Sequence, residues 1–294
     1  MATLIDKNTF TLLRLPFSFL LMPLFLLALS QSGVNANSFN VIVSFLIIHL
    51  LVYPSSNGYN SYIDKDEESI GSLEKPPLPT IQLFYVTLFL DVLALILSVV
   101  CIHWKFAMCI LLYILASRAY SSKTIRLKKY PYIGFFTVVF FQGAFTYYMC
   151  ILGITGKLLE LNQLIIYLLM ACSLQIAGAY PLTQIYQHQQ DYKEGVITIS
   201  YRLGYIGTFL FTGFMFVCTN VFYFLYFNAM ESLNSFDILQ LFFLPIVGYY
   251  IYWFVAVIKN KDAANFKHTM RMNLIAAICM NICFLVLYIM NIFA

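Results

Sequence analysis

Followed from end to end, the apolar and polar positions of this chain divide it into nine apolar runs separated by short polar segments. The runs cover residues 12–30, 39–62, 82–101, 104–121, 131–153, 162–187, 205–227, 237–258 and 272–293. Each is close to the ~20 residues an α-helix needs to cross the hydrocarbon core of a bilayer. With no water there to satisfy backbone groups, helices that bond internally are the expected form. The pattern therefore predicts an all-α membrane protein, nine transmembrane helices in one bundle around a central cavity.

Charge orients that bundle. With the N-terminus placed in the cytoplasm and the C-terminus outside, every Lys and Arg of the 17 falls on the inner side except Lys105 and Lys157. So lopsided a split is the positive-inside rule, and it predicts a multi-pass protein of the cell inner membrane. Two acidic stretches follow the second and sixth runs, and the basic stretches SRAYSSKTIRLKK and KNKDAANFKHTMRMN follow the fourth and eighth. This period of four helices points to two pseudo-equivalent halves around one site that faces the cytoplasm.

Composition agrees with the pattern. The chain is 61% hydrophobic and only 10% charged, against about 25% charged in soluble domains. Its net charge of +4 is absorbed by orientation, so nucleic acid is not an expected partner, whereas membrane lipid is. Seven cysteines lie within or at the ends of apolar runs without CxxC spacing and read as small buried hydrophobes. Met1 to Leu13 lacks a basic segment followed by a small-residue cleavage site, so the first run reads as a retained signal anchor. No Pro/Ser-rich linker divides the chain, and residues 1–294 read as a single membrane domain.

Candidate chemistry gathers in the stretch from His49 to Pro77. Asn60, Asp64 and Glu68 follow one another at i, i+4 spacing, and they share a face if the helix of 39–62 runs on for a turn or two. Asp66 lies on the adjoining face. Hard oxygen donors in one place suit Mg²⁺, which binds through a few carboxylates plus substrate phosphates; a solvated acidic loop is the plainer alternative. His49, Tyr53 and Asn57 extend the Asn60 stripe back into the bilayer, where they could line the acceptor side of a cavity. Gln184 and Gln187 end the sixth run, and two amides there are expensive unless they face a polar cavity. Asp91, inside the third run, marks either a functional site or a hydrogen bond to a neighbouring helix. His188 reads as an interfacial histidine bonded to backbone or water and receives no catalytic role.

Three motifs in order carry a resemblance. NxxxDxDxE at Asn60 to Glu68, YSSKTIRLKKYPYIG at Tyr120 to Gly134, and DYKEGVITISYRLG at Asp191 to Gly204 together resemble the UbiA superfamily of intramembrane prenyltransferases. The resemblance implies Asp64, Glu68 and Asp191 as Mg²⁺ ligands, with Asn60 supplying an oxygen or orienting a carboxylate and Asp66 standing just outside. It also implies Lys123 and Arg126 as diphosphate ligands, with Asn60, Lys75, Gln187 and Lys193 as further contacts to the substrate. Asp64, Asp191, Lys123 and Arg126 would then be the catalytic set. Lys128 and Lys129 are left as orientation charges. The sequence departs from the family where Gln187 occupies the place of the first acid of the second motif, and where Lys75 replaces an arginine. The implied reaction is transfer of a prenyl chain from a polyprenyl diphosphate to a lipophilic acceptor with an aromatic or polar ring. A lipid-binding scaffold that has lost turnover and, at lower weight, a transporter are the rival readings.

Overall fold

The structure is a computed structural model and describes residues 6–193 and 195–293. Its elements are α1 (Lys7–Leu12), α2 (Phe17–Ser32), α3 (Ser38–Asp64), α4 (Ile81–Ile102), α5 (Trp104–Ser121), α6 (Pro131–Thr155), α7 (Gln163–Gln184), α8 (His188–Lys193), α9 (Ile199–Ala229), α10 (Leu233–Lys259) and α11 (Phe266–Phe293). Among the described residues, eight helical segments are long and apolar enough to cross a membrane, α1 with α2 counting as one. All nine predicted runs contain a helix, the first interrupted around Arg14 and the sixth ending at Gln184, but α5, with Lys105 and Arg118 in its 18 residues, is not among those eight.

The helix ends follow local chemistry. The Asp6 side chain accepts from the Thr9 N–H to start α1, and Asn162 and Thr198 cap α7 and α9 in the same way; each satisfies a donor that a helix N-terminus leaves without a partner. Pro131 opens α6 at a position that has no intrahelical N–H bond to lose. Between α1 and α2 the chain breaks at Arg14, whose φ is +49°, with Pro16 following.

The helices close into a ring. α2 packs on α11, so the first long helix meets the last; α10 lies against both α9 and α11, α7 against α9, and α3 against α4 and α5. The second half of α6 packs on α2. Trp253, Tyr147, Tyr223 and Phe106 are fully buried between helices, while Phe89, Val100, Leu210, Phe214, Leu241 and Leu244 face outward and are more than half exposed. An outward apolar belt of this extent suits lipid contact.

Asp91 is explained by this packing. Its carboxylate accepts from the Arg118 guanidinium of α5 and, at 2.6 Å, from Ser55 Oγ of α3. Arg118 also lies 3.9 Å above the Tyr59 ring. The acid inside the third run therefore fastens three helices together, its charge paired and hydrogen-bonded as a buried charge requires.

Candidate active site

A cavity of about 380 Å³ opens at the end of the ring where the connections after α3, α5 and α7 come together. Asn60 and Asp64 line it from the end of α3 and Asp66 from the connection beyond, Lys128 from the connection after α5, Gln187 from the connection after α7 and Asp191 from α8. The two acidic stretches thus meet at one mouth. They also touch directly: Gln187 Nε2 donates to the Ser69 carbonyl at 3.1 Å, and Gln190 Nε2 to Asp66 Oδ1 at 3.2 Å. Gln184 and Gln187 both line the cavity, which accounts for two amides at the end of a membrane helix.

The i, i+4 stripe is shorter than its spacing suggests. α3 stops at Asp64 because Lys65 turns left-handed (φ +53°, ψ +43°) and its N–H returns to the Ser61 carbonyl. Glu68 therefore leaves the stripe. Its side chain is 54% exposed and pairs at 3.7 Å with Lys193, itself 71% exposed, and neither lines the cavity. Among the described residues no three His, Cys, Asp or Glu side chains form a ready metal cluster. Of the three carboxylates expected as ligands, Asp64 and Asp191 line the mouth and Glu68 does not.

Asn60 orients the carboxylate. Its Nδ2 donates to Asp64 Oδ2 at 2.8 Å and to Ser121 Oγ at 3.0 Å. Lys128 Nζ reaches the same Oδ2 at 2.5 Å, whereas Asp64 Oδ1 is buried with no hydrogen-bond partner. An orphaned carboxylate oxygen is costly, about 1–3 kcal/mol or more, unless a ligand satisfies it. Two carboxylates with amides close by fit a hard cation such as Mg²⁺, which takes one or two protein carboxylates and fills its other positions with water and phosphate.

The basic residues are arranged differently from the expectation. α5 ends at Ser121, and Arg126 turns the loop back with φ +45° into the 3₁₀ turn Leu127–Lys129. This reversal carries Lys128, read from sequence as an orientation charge, over Asp64. Lys123 and Lys75 are exposed, Arg126 is half-buried, and none of the three lines the cavity. The break between α1 and α2 brings in a second cation, Arg14, which in the sequence counts only as an inner-side charge. Arg14 is buried, lines the cavity, and donates to the Asn57 carbonyl and side-chain oxygen at 3.2 and 3.3 Å and to the Gly71 carbonyl at 3.4 Å. Its sequence signal was slight: one arginine between apolar residues with a proline two places on.

Tyr186 lines the mouth, and burial raises its hydroxyl well above the ordinary range although Arg14 opposes the shift. His188 is neutral, its pKa lowered from 6.5 to about 4 by burial. It bonds Ser200 Oγ at 2.8 Å and stacks on Tyr205, so it fastens α8 to α9. Of the stripe behind Asn60, Tyr53 and Asn57 line the cavity, while His49 is buried against Phe45 and bonds the Ser18 carbonyl.

Comparison with known proteins supports the sequence resemblance. The UbiA prenyltransferase family model matches residues 19–275. Curated proteins yield no match. Among solved structures, a UbiA homolog from Archaeoglobus fulgidus bound to DMAPP and Mg²⁺ aligns with a TM-score of 0.68 at 15% identity, over 98% of this chain and 100% of that one. One from Aeropyrum pernix K1 gives 0.68 at 13% identity over 93% and 98%. A digeranylgeranylglyceryl phosphate synthase gives 0.62 at 19% identity over 98% and 99%. At such identities the structural likeness speaks for the fold, but the family model spans most of the sequence, and the chain belongs to the UbiA prenyltransferase family.

Proposed function

We propose that this protein transfers a prenyl group from a polyprenyl diphosphate to a hydrophobic acceptor inside the membrane. One observation carries the reading: carboxylates from two distant segments and two cations meet at the mouth of a cavity whose deeper wall, with Leu20, Leu24, Ile176 and Met280, is apolar. A diphosphate needs the first environment and an isoprenoid the second. The Archaeoglobus homologs bound to DMAPP with Mg²⁺ and to GPP with Mg²⁺ support the same substrate class.

Asp64 and Asp191 would hold Mg²⁺, which, when bound, supplies Lewis-acid polarisation of the diphosphate oxygens. Asn60 holds Asp64 in one rotamer. Lys128 and Arg14, which line the mouth, are placed to neutralise charge that grows on the departing diphosphate. Lys123, Arg126, Lys75 and Lys193 stand outside the lining and attract the anionic substrate to the mouth by their summed field. The bond that breaks is the allylic C–O bond; the acceptor carbon bonds to the resulting cation and loses a proton.

In this reading α5 is a ninth crossing, since α4 and α5 run antiparallel beside α3 and its 18 residues span about 27 Å. The N-terminus and the cavity mouth then face the cytoplasm of an inner-membrane protein, and the C-terminus lies outside.

A second reading, a lipid-binding scaffold without turnover, draws on one feature: Gln187 spends its amide on the Ser69 carbonyl where the family places an acid. The deciding measurement is Mg²⁺-dependent pyrophosphate release from geranyl diphosphate by the purified protein. Release that falls at least 100-fold in Asp64→Ala and Asp191→Ala is expected. Substrate binding without release in the wild type would establish the scaffold, and a Gln187→Asp change that restored release would locate the lost step.

A further inference from the structure

The cavity has a second polar region, well below the charged mouth. Gln142 of α6 and Gln175 of α7 both line it. Gln142 lies eleven residues along α6 from Pro131, and Gln175 nine residues back from Gln184, which at 1.5 Å per residue puts both about 14–16 Å beneath the mouth. Amides at that depth are expensive unless they have a use.

Both are held in place by specific features. Gln142 sits in the π-helical turn Phe140–Phe145, a type of irregularity that often marks functional sites. Gly143 beside it lets the backbones of α6 and α7 touch, since a Cβ there would stand 2.6 Å from Ser173 Cα; the Ala144 N–H bonds Ser173 Oγ at 3.1 Å. Gln175 has its Oε1 occupied by the hydroxyl of the fully buried Tyr223 at 3.0 Å. With the carbonyl end held, its NH₂ is the end left to offer a ligand.

The charges of the cavity sharpen the picture. Among the described residues its lining contains two cations, Arg14 and Lys128, both at the mouth, and none accompanies the glutamines. The deep region therefore suits a neutral hydrogen-bond acceptor and penalises an anion. The distance between the two polar regions accommodates, end to end, a diphosphate, its reacting carbon in near-attack contact and one six-membered ring.

We propose that Gln142 and Gln175 recognise the prenyl acceptor, donating hydrogen bonds to an oxygen on a neutral ring and leaving the opposite edge of that ring toward the diphosphate. The inference rests on the prenyl-transfer reading and deepens it by assigning the acceptor class: an uncharged ring with a carbonyl or hydroxyl oxygen, not an aromatic acid. Tyr223 is a positioning residue for Gln175.

Equilibrium binding to the full chain in lipid nanodiscs tests this with three probes: duroquinone, durene (the same methylated ring without oxygens) and 4-hydroxybenzoate. Duroquinone is expected to bind, about tenfold more weakly in Gln142→Leu and Gln175→Leu and several-fold more weakly in Tyr223→Phe. Durene should be indifferent to all three changes, and 4-hydroxybenzoate should not displace duroquinone. Duroquinone affinity unchanged in both glutamine variants, or displacement by the benzoate at comparable affinity, overturns the assignment. If either leucine variant misfolds, Tyr223→Phe and Gln175→Asn carry the same comparison. Mg²⁺-dependent binding of geranyl diphosphate, measured in parallel, should persist in the glutamine variants and disappear in Lys128→Met. Its absence from the wild type would sink the prenyl-transfer reading itself, a failure distinct from that of the glutamine pair.

Discussion

At Asp64 one carboxylate oxygen carries both Asn60 and Lys128 while the other is buried with no partner. Removing Lys128 leaves a buried charge uncompensated and withdraws a cation from the leaving group, so Lys128→Met should lower pyrophosphate release on the order of 10²-fold. Lys123→Met, on an exposed side chain, should cost only a few-fold and mainly at low substrate. Equal losses in the two variants, measured in the same release assay, would refute this ranking. His188 makes a prediction about pH. Its folded-state pKa of about 4 lies below the ordinary 6.5, so between those values the unfolded chain binds a proton that the folded chain does not. The stability it contributes is full above pH 6.5 and declines as pH falls toward 4. Thermal melting of His188→Gln should therefore lack part of the acid-side decline of the wild type; superimposable pH profiles would contradict it. Spacing singled out Asn60 and Asp64, helix ends and acidic residues being local features, and the family resemblance added Asp191; all three line the cavity. Neither singled out Arg14 and Lys128, which reach the same cavity through backbone reversals that no periodicity announces.

At the level of single elements, two backbone devices decide what reaches the cavity. The left-handed Lys65 ends α3 and sends Glu68 to the surface. Glycine adopts that conformation without the ~1 kcal/mol a side chain pays, so Lys65→Gly should preserve both the melting temperature and activity. Lys65→Pro, with φ held near −65°, should lower both. The close approach at Gly143 makes a complementary case. Gly143→Ala would place a methyl group against backbone and should destabilise the protein by about 1–3 kcal/mol, seen as a lower denaturation midpoint and weaker binding at Gln142. A silent Gly143→Ala variant would mean that α6 and α7 are less tightly seated than the geometry requires. A stripe reaching Glu68 requires the helix of 39–62 to run on, and an acidic run with helical spacing offers no visible stop; α3 ends at Asp64, and the stop is a φ value at a lysine.

For the whole molecule, the ring depends on pairing polar groups between helices that lipid alone would not hold together. The Asp91–Arg118–Ser55 cluster joins α3, α4 and α5, and breaking a buried pair by removing one partner costs about 3–5 kcal/mol. Arg118→Leu should thus reduce stability more than the double change Asp91→Leu with Arg118→Leu, an ordering that unfolding in mild detergent can check. Topology has its own test. With nine crossings, a cysteine at Lys157 in a cysteine-free background should react with an impermeant maleimide added outside intact cells, and one at Lys261 only after lysis; the opposite pattern would invert the orientation.

Apolar run length and the near absence of charge within the runs were enough, without coordinates, to establish a helical membrane bundle, because the bilayer imposes those constraints on any sequence. Which oxygens and nitrogens share a cavity was decided only by tertiary structure. Asp64 meets Lys128 and Arg14 enters from a broken first helix because segments distant in the chain close into a ring, and Gln142 and Gln175 lie at one depth because the consecutive helices α6 and α7 seat backbone to backbone at Gly143. Such juxtapositions depend on where turns reverse and how backbones seat on one another, and neither quantity has a period that a linear pattern can record.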